Sequence, residues 1–145
     1  MMHARDPGLD LLPHKGAMCL LDRVISWDRR HIRCTAVSHR AIDNPLRERG
    51  RVDGICLIEY AAQAVALHGG LIGNGAAAPG YLAAVRDVRL AVRALERIDA
   101  ELVIEAECEL ADPSGLLYRF AIEAAGAKLG SGRLSISLAR RTVAA

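Results

Sequence analysis

The clearest segment of the chain is an apolar run, Ile55–His68, that follows an aspartate and a glycine. Asp53 can cap a helix there, because its carboxylate accepts hydrogen bonds from the unpaired N–H groups of a first turn. Alanines in the middle of the run favour a helix, and Gly69–Gly70 predicts its end. Glu59 and Gln63 are polar exceptions within the run, so we expect a helix that is buried on nearly every face.

Beyond residue 80 the pattern changes to an alternation of apolar and polar positions, which is typical of strands that pack on one face. Glutamates on one strand and arginines on its neighbours could pair across the outer face of such a sheet. Strands are predicted at Ile25–Val37, Tyr81–Val92, Ala100–Leu110, Leu116–Ala125 and Arg133–Leu138, with turns at Asp112–Gly115 and Gly126–Gly130.

Three further segments are expected to lie outside the helix and the strands. Residues 1–10 predict a loose leader, Ser38–Arg51 a polar loop with one short helical turn, and Ala76–Gly80 a linker. One early buried helix followed by one-sided strands predicts an α+β domain over residues 1–145, with an antiparallel sheet curled around a single central helix. Two such sheets placed edge to edge in a dimer would hide their edge strands.

Composition narrows the functional class. A chain of 145 residues fits one domain, and a hydrophobic share of 52% excludes a disordered chain. The net charge of +2 is too balanced for a dedicated nucleic-acid binder. No apolar run reaches about 18 residues, so no membrane-spanning helix is expected. The first ten residues hold no apolar stretch of signal-peptide length, and we therefore expect a cytoplasmic protein.

The cysteines and histidines do not predict a metal site. No two of them have the spacing of a zinc ligand pair, and the sequence shows no HExxH arrangement on a helix. The cysteines are expected to be small buried apolar residues rather than disulfide partners. They are Cys19, Cys34, Cys56 and Cys108.

Two blocks of the first half resemble the hotdog-fold dehydratases that act on 3-hydroxyacyl-acyl carrier protein. Leu11–Val24 is similar to the opening of these enzymes, and Gly54–Ala64 is similar to their helix, with a glycine, a glutamate five positions on and a glutamine four further on. Between the blocks, Asn44–Pro45 and Gly50–Val52 look more like the dehydratase-like proteins of aryl polyene gene clusters. The second half matches only in its strand-rich pattern.

This resemblance implies a dimeric hotdog fold and the dehydration of 3-hydroxyacyl-acyl carrier protein thioesters to trans-2-enoyl thioesters, in fatty acid or aryl polyene-type biosynthesis. It implies no cofactor, and its partner is an acyl carrier protein with a phosphopantetheine-linked substrate. The dimer could join two copies of the chain or the chain and a second hotdog subunit. In the fatty-acid enzymes a Gly-His-Phe-Pro block supplies the catalytic histidine, and Pro45 stands in its place here.

Dehydration requires a base at the carbon next to the thioester, an acid for the leaving hydroxyl and a donor to the carbonyl oxygen. The resemblance assigns the base to His14 and the acid to Glu59, because burial of a carboxyl group favours its protonated form. Gly54 is the expected N–H donor, and Gln63 is expected to hold the carboxylate. His39, which precedes the loop where the usual histidine is missing, is the alternative base.

Two other functions stay open at this point. The missing histidine also fits a non-catalytic acyl-binding subunit that completes a heterodimer, and the same fold supports thioester hydrolysis. The loop arginines could steer an acidic carrier protein towards the site, although a solvated loop is the simpler explanation of them. These arginines are Arg40, Arg47, Arg49 and Arg51.

Overall fold

The computed structural model describes residues 7–12, 16–73 and 80–138. Within these ranges the chain forms one α-helix and six strands, with short 3-10 turns at Pro7–Leu11, Gly16–Met18, Ser38–Arg40 and Gly54–Cys56. The regular elements are β1 (Arg23–Trp27), β2 (His31–Ala36), α1 (Leu57–Ile72), β3 (Gly80–Leu90), β4 (Leu102–Asp112), β5 (Gly115–Ala124) and β6 (Ala127–Leu138).

The strands form one antiparallel sheet in the order β1-β2-β4-β5-β6-β3, and α1 packs on one face of it. The core between helix and sheet is fully buried and consists mainly of aliphatic side chains and three aromatic ones. Its largest members include Leu57, Tyr60, Leu67, Ile32, Ile104, Tyr118, Phe120 and Ile122. The predicted sheet around one helix is confirmed.

The outer face of the sheet carries the predicted ladder of charges. Glu107 of β4 accepts from Arg119 of β5 at 3.1 Å. Glu109 of β4 accepts from Arg133 of β6 at 2.9 Å, and Arg133 also pairs with Asp87 at 3.1 Å. All these side chains remain partly exposed, so each pair adds little to stability.

The first predicted strand is wrong, because Ile25–Val37 folds as the hairpin of β1 and β2. The turn lies at Asp28, whose Oδ1 accepts from the N–H groups of Arg30 and His31, each at 2.8 Å. An aspartate that binds the backbone ahead of it stabilises a turn in this way. The polar run Asp28–His31 was the available sequence signal for this turn.

Two other boundaries differ from the prediction. The helix continues beyond Gly69–Gly70 to Ile72, and Gly70 packs closely against the side chain of Leu11, which a Cβ would approach to 3.3 Å. The predicted loose leader is wrong over its described part, since Leu9 is 3% exposed and packs in the core. Residues 1–6 of the leader and 76–79 of the predicted linker lie outside the described residues.

By length and hydropathy, Gly54–Ile72 could cross a membrane, contrary to the expectation that no stretch would qualify. Half of this stretch is buried inside the protein. Its buried residues contact the sheet, so its apolar character is explained by the core of this fold.

Candidate active site

Glu59 lies in the first turn of α1 and is exposed. It shares a stripe with Ile55, which is 58% exposed, and with Ala62 and Ala66, since these residues follow each other at helical spacing. The carboxylate of Glu59 has no hydrogen bond or ion pair with any described residue. Most of α1 is buried, as predicted, but the expectation that burial keeps the Glu59 carboxyl group out of water is wrong for a single chain, because the described chain leaves this stripe open.

Gln63 is buried, and both ends of its amide bind the backbone of the segment before β1. Its Oε1 accepts from the N–H of Leu20 at 2.8 Å, and its Nε2 donates to the carbonyl of Met18 at 2.7 Å. No hydrogen bond joins Gln63 to the Glu59 carboxylate within the described residues, and the predicted contact between them stays a prediction. Gln63 fixes the chain that follows the predicted Pro-His-Lys turn.

Gly54 joins the start of the helix to the chain beyond β3. Its N–H donates to the carbonyl of Arg93 at 3.0 Å, and a Cβ at this position would lie 1.9 Å from the Val92 oxygen. Glycine is therefore required for the close approach of two backbones. The N–H that the sequence assigns to a substrate carbonyl is occupied here. The next N–H, that of Ile55, has only a longer bond of 3.4 Å to Asp53.

His39 lies in the short turn after β2 and is fully buried. Its Nε2 donates to the carbonyl of Ile98 at 2.9 Å, while its Nδ1 has no hydrogen-bond partner among the described residues. Burial lowers the pKa of His39, and the bond to the Ile98 carbonyl opposes this effect. A ring with no exposed surface cannot reach a substrate without local opening, which argues against the alternative base.

His68 is a buried structural residue near the end of α1. Its Nε2 donates to the carbonyl of Asp28 at 2.7 Å, so its Nδ1 is the nitrogen that accepts from the hydroxyl of Tyr118 at 2.6 Å. Burial lowers the pKa of His68, which favours this neutral form. His68 thereby attaches the β1–β2 turn to the helix.

His14, the predicted base, lies outside the described residues together with Pro13 and Lys15. The described chain resumes at Gly16 and runs directly into the segment that Gln63 clamps. The assignment of His14 therefore stays a prediction.

Sequence reasoning missed a buried polar network on the other side of the helix start. Ser38 donates to the Leu20 carbonyl at 2.6 Å and accepts from Tyr60 at 2.8 Å, and Asn44 donates to the Tyr60 oxygen at 3.2 Å. Asn44 also accepts from the N–H of Leu46 at 2.8 Å. The network holds the loop after β2 against α1. The sequence signal for this network was Tyr60 on an otherwise apolar helix, because a buried hydroxyl group needs hydrogen-bond partners.

The arginines of the loop after β2 largely bind backbone carbonyls. Arg47 donates to the carbonyls of Arg40, Ala41 and Gly50 at 2.9–3.3 Å, and Arg51 donates to the carbonyl of Arg93 at 3.2 Å. These contacts fix the loop, while the positive charge stays available to an acidic partner.

A cavity of about 670 Å³ lies on the outer face of the sheet, and Glu59 does not line it. Its walls carry charged residues of both signs, which do not suit an acyl chain. Among the described residues no cluster of histidine, cysteine, aspartate or glutamate could hold a metal ion. The thiol of Cys56, beside the helix start, has a pKa raised by burial. It is therefore a poor nucleophile.

A comparison with protein families matches residues 7–143 to the ApeP-like family, described as ApeP dehydratase. The chain belongs to this ApeP-like dehydratase family. The match confirms the resemblance to hotdog dehydratases of aryl polyene clusters. Among solved structures, the dehydratase heterocomplex ApeI:P from Xenorhabdus doucetiae matches with 27% identity and a TM-score of 0.81, covering 97% of this chain and 95% of that chain.

More distant structures share the fold alone with this ApeP-like dehydratase. A hypothetical thioesterase with coenzyme A from Streptococcus pneumoniae TIGR4 has 14% identity and a TM-score of 0.62, covering 81% of this chain and 84% of that one. AziG from S. sahachiroi has 12% identity and a TM-score of 0.62, covering 83% and 91%. No curated protein matches the sequence.

Proposed function

We propose that this ApeP-like dehydratase removes water from 3-hydroxyacyl thioesters on an acyl carrier protein and gives trans-2-enoyl thioesters. The observation that supports this most strongly is the position of Glu59. The family match covers residues 7–143, and within it the glutamate of the helix motif stands on the open stripe of an otherwise buried helix. A reactive carboxyl group must be reachable by the substrate, and Glu59 meets that condition.

A partner subunit completes the site in this proposal. The start of the stripe lies beside the end of β3, because Gly54 contacts Val92 and Arg93 just beyond that strand. β3 is an edge strand, so its outward backbone groups are free to pair with another sheet. Pairing there would cover the stripe and remove Glu59 from water. The ApeI:P relative, a heterocomplex, supports a second hotdog subunit as that partner.

His14 is the proposed base and Glu59 the proposed acid. An imidazole removes the proton next to the thioester carbonyl most effectively when its pKa lies near the working pH. Glu59, once covered, gives its proton to the leaving hydroxyl. Because the Gly54 N–H is occupied, we assign the carbonyl contact to the N–H of Ile55, whose bond to Asp53 is long at 3.4 Å. The proposed reaction needs no metal or organic cofactor.

The proposed carrier is an acidic protein that approaches the basic loop after β2. Arg49 is exposed and has no bond to a described side chain, so its charge faces solvent. Such exposed charges raise the rate of encounter with an acidic partner more than they raise affinity. We place the reaction in the cytoplasm, where acyl carrier proteins and their substrates are made.

The test is a dehydration assay in which mass spectrometry follows the loss of water from a 3-hydroxyacyl carrier protein. We expect purified protein, alone or with a second hotdog subunit, to form the enoyl product, and His14→Ala to abolish it. Free acid as the product would indicate a thioesterase instead.

A non-catalytic subunit is the second candidate, and two observations favour it. Pro45 replaces the usual histidine, and the alternative base His39 is fully buried. For this candidate, activity would appear only with the second subunit and would survive both His14→Ala and Glu59→Ala in this chain.

A further inference from the structure

Strand β1 forms the edge of the sheet opposite to β3, and a groove lies beside it. The groove has a volume of about 460 Å³ and is bounded by β1, the short turn Pro7–Leu11 and the end of α1. The proposed function does not use this edge. The residues that line the groove are Gly8, Val24, Ile25, Ser26, Trp27 and Leu71.

The side chains around the groove form one apolar patch. Ile25 and Trp27 are each 47% exposed, and Ile72 at the end of α1 is 37% exposed. Leu11 is 38% exposed and packs against the last turn of α1 at Gly70. Large apolar side chains that adjoin one another and stay half-exposed indicate a contact surface.

The backbone of β1 is poorly suited to pairing with another strand. β1 has five residues, and its register with β2 shifts between Val24 and Ser26, which leaves Ile25 outside the ladder. Such a bulge twists an edge strand and interrupts the row of backbone groups that a second sheet would bind. The patch therefore suits an occupant that needs no strand register.

Two arginines extend the patch at the turn that follows Trp27. Arg29 and Arg30 are exposed, and their guanidinium groups form no ion pair with any described residue. The Asp28 carboxylate before them accepts from two N–H groups of its own turn. The exposed Asp10 on the turn Pro7–Leu11 offsets part of the positive charge. The arginines remain available to bind anionic groups in front of the patch.

A tryptophan beside free arginines has the composition of a segment at a membrane surface. An indole ring combines a large apolar area with one N–H donor, and it is enriched where hydrocarbon meets lipid headgroups. A guanidinium group binds phosphate oxygens through paired hydrogen bonds. A phospholipid surface offers both kinds of contact, and it requires no strand register.

We propose that the β1 edge, with Ile25, Trp27 and the two arginines of the turn, docks on the surface of a phospholipid bilayer. The apolar side chains enter the boundary between headgroups and acyl chains, and Arg29 and Arg30 bind lipid phosphates. The chain stays folded and lies on the bilayer. Because β3 is the opposite edge of the sheet, the contact leaves β3 free, and the inference does not depend on the proposed function.

The test uses Trp27, the single tryptophan of the chain, as its own reporter. We expect wild type to sediment with vesicles of phosphatidylcholine and phosphatidylglycerol, with a blue shift of the Trp27 emission and quenching by brominated acyl chains. Arg29→Gln/Arg30→Gln should bind about tenfold more weakly at low salt. The matched control, Arg86→Gln/Arg89→Gln, loses the same charge at the opposite edge and should bind as wild type does.

A second pair of variants tests the apolar contact. Ile25→Ser should bind the same vesicles about fivefold more weakly, because the exposed half of an isoleucine side chain no longer enters the bilayer. Ile42→Ser is the matched control, since it replaces an isoleucine that is 91% exposed in the loop after β2, and it should leave binding unchanged.

Three results would overturn the proposal. The first is wild type that stays in the supernatant with unshifted emission. The second is equal binding by wild type, Arg29→Gln/Arg30→Gln and Ile25→Ser, since the lipid would then contact another surface. The third is self-association in buffer that Ile25→Ser abolishes, which would make the groove an interface between copies of this chain. None of these readouts depends on dehydration.

Discussion

Strands β4 and β3 belong to the same sheet, but they differ in whether their charged side chains have ion-pair partners. On β4, Glu105, Glu107 and Glu109 have arginine partners on β2, β5 and β6. On β3, Arg86 and Arg89 have none among the described residues, and apolar side chains stay open beside them. The outer glutamates of the inner strand β4 thus have ion-pair partners within one chain. The arginines of the edge strand and the carboxylate of Glu59 have none among the described residues. The incomplete region is where the proposed chemistry and the partner meet.

The largest expected loss of stability comes from adding a side chain at Gly54, where the start of the helix contacts the chain beyond β3. Gly54→Ala places a Cβ 1.9 Å from the Val92 oxygen, so the two backbones must separate. We expect the free energy of unfolding to fall by about 3 kcal/mol in urea denaturation. Gly126→Ala is the control: its φ of 79° is strained but its surroundings are open, and it should cost about 1 kcal/mol. Equal losses would contradict the close-approach argument.

Breaking the Gln63 clamp should have the next largest effect. Gln63→Leu leaves the Leu20 N–H and the Met18 carbonyl without their buried partner. The expected cost is about 2 kcal/mol in the same measurement. Gln63→Glu retains an acceptor for Leu20 and should lose less. An unchanged unfolding curve for Gln63→Leu would show that water replaces the clamp.

Acid should weaken the fold through its two buried histidines. Burial lowers the pKa of His39 and of His68 below the ordinary value of 6.5. Between the lowered and ordinary pKa the unfolded chain binds more protons, so stability falls as the pH drops through that window and is fully present above it. Unfolding at pH 5 to 7 measures this, and His68→Gln should reduce the slope. Stability that rises towards pH 5 would contradict it.

The smallest effect is expected from breaking an ion pair on the outer face of the sheet. Glu107→Gln removes an ion pair whose side chains are 57% and 41% exposed, so solvent already screens it. The free energy of unfolding should change by about 0.5 kcal/mol or less. A larger loss would mean that the ladder acts as a network and that the interior strands depend on it.

The sequence allowed the fold to be predicted because its patterns are local. Asp53 marks the helix start, and the alternation in Ala100–Leu110 identifies a one-sided strand, and both agree with the structure. The hairpin at Asp28 was missed although the polar run Asp28–His31 interrupts the apolar pattern there. The helix end was misplaced, and the packing of Gly70 against Leu11 is a contact that spacing along the chain does not reveal.

The candidate site was less predictable because its contacts are distant in sequence. Gln63 binds residues 43 and 45 positions away, so no local pattern could show that its amide is occupied. The exposure of Glu59 depends on where the sheet ends, which is a property of strand order. His14 was assigned from resemblance and lies outside the described residues.

The central claim is that Glu59 is the acid of a site completed at the open edge. Its most direct test is the dehydration rate of Glu59→Gln, measured in the assembled protein beside Glu101→Gln, a matched change at another exposed glutamate. We expect a rate lower by about 10²–10⁴-fold for Glu59→Gln alone, and an unchanged unfolding transition of the separate chain, in which the side chain is exposed. Equal rates for the two variants would contradict it.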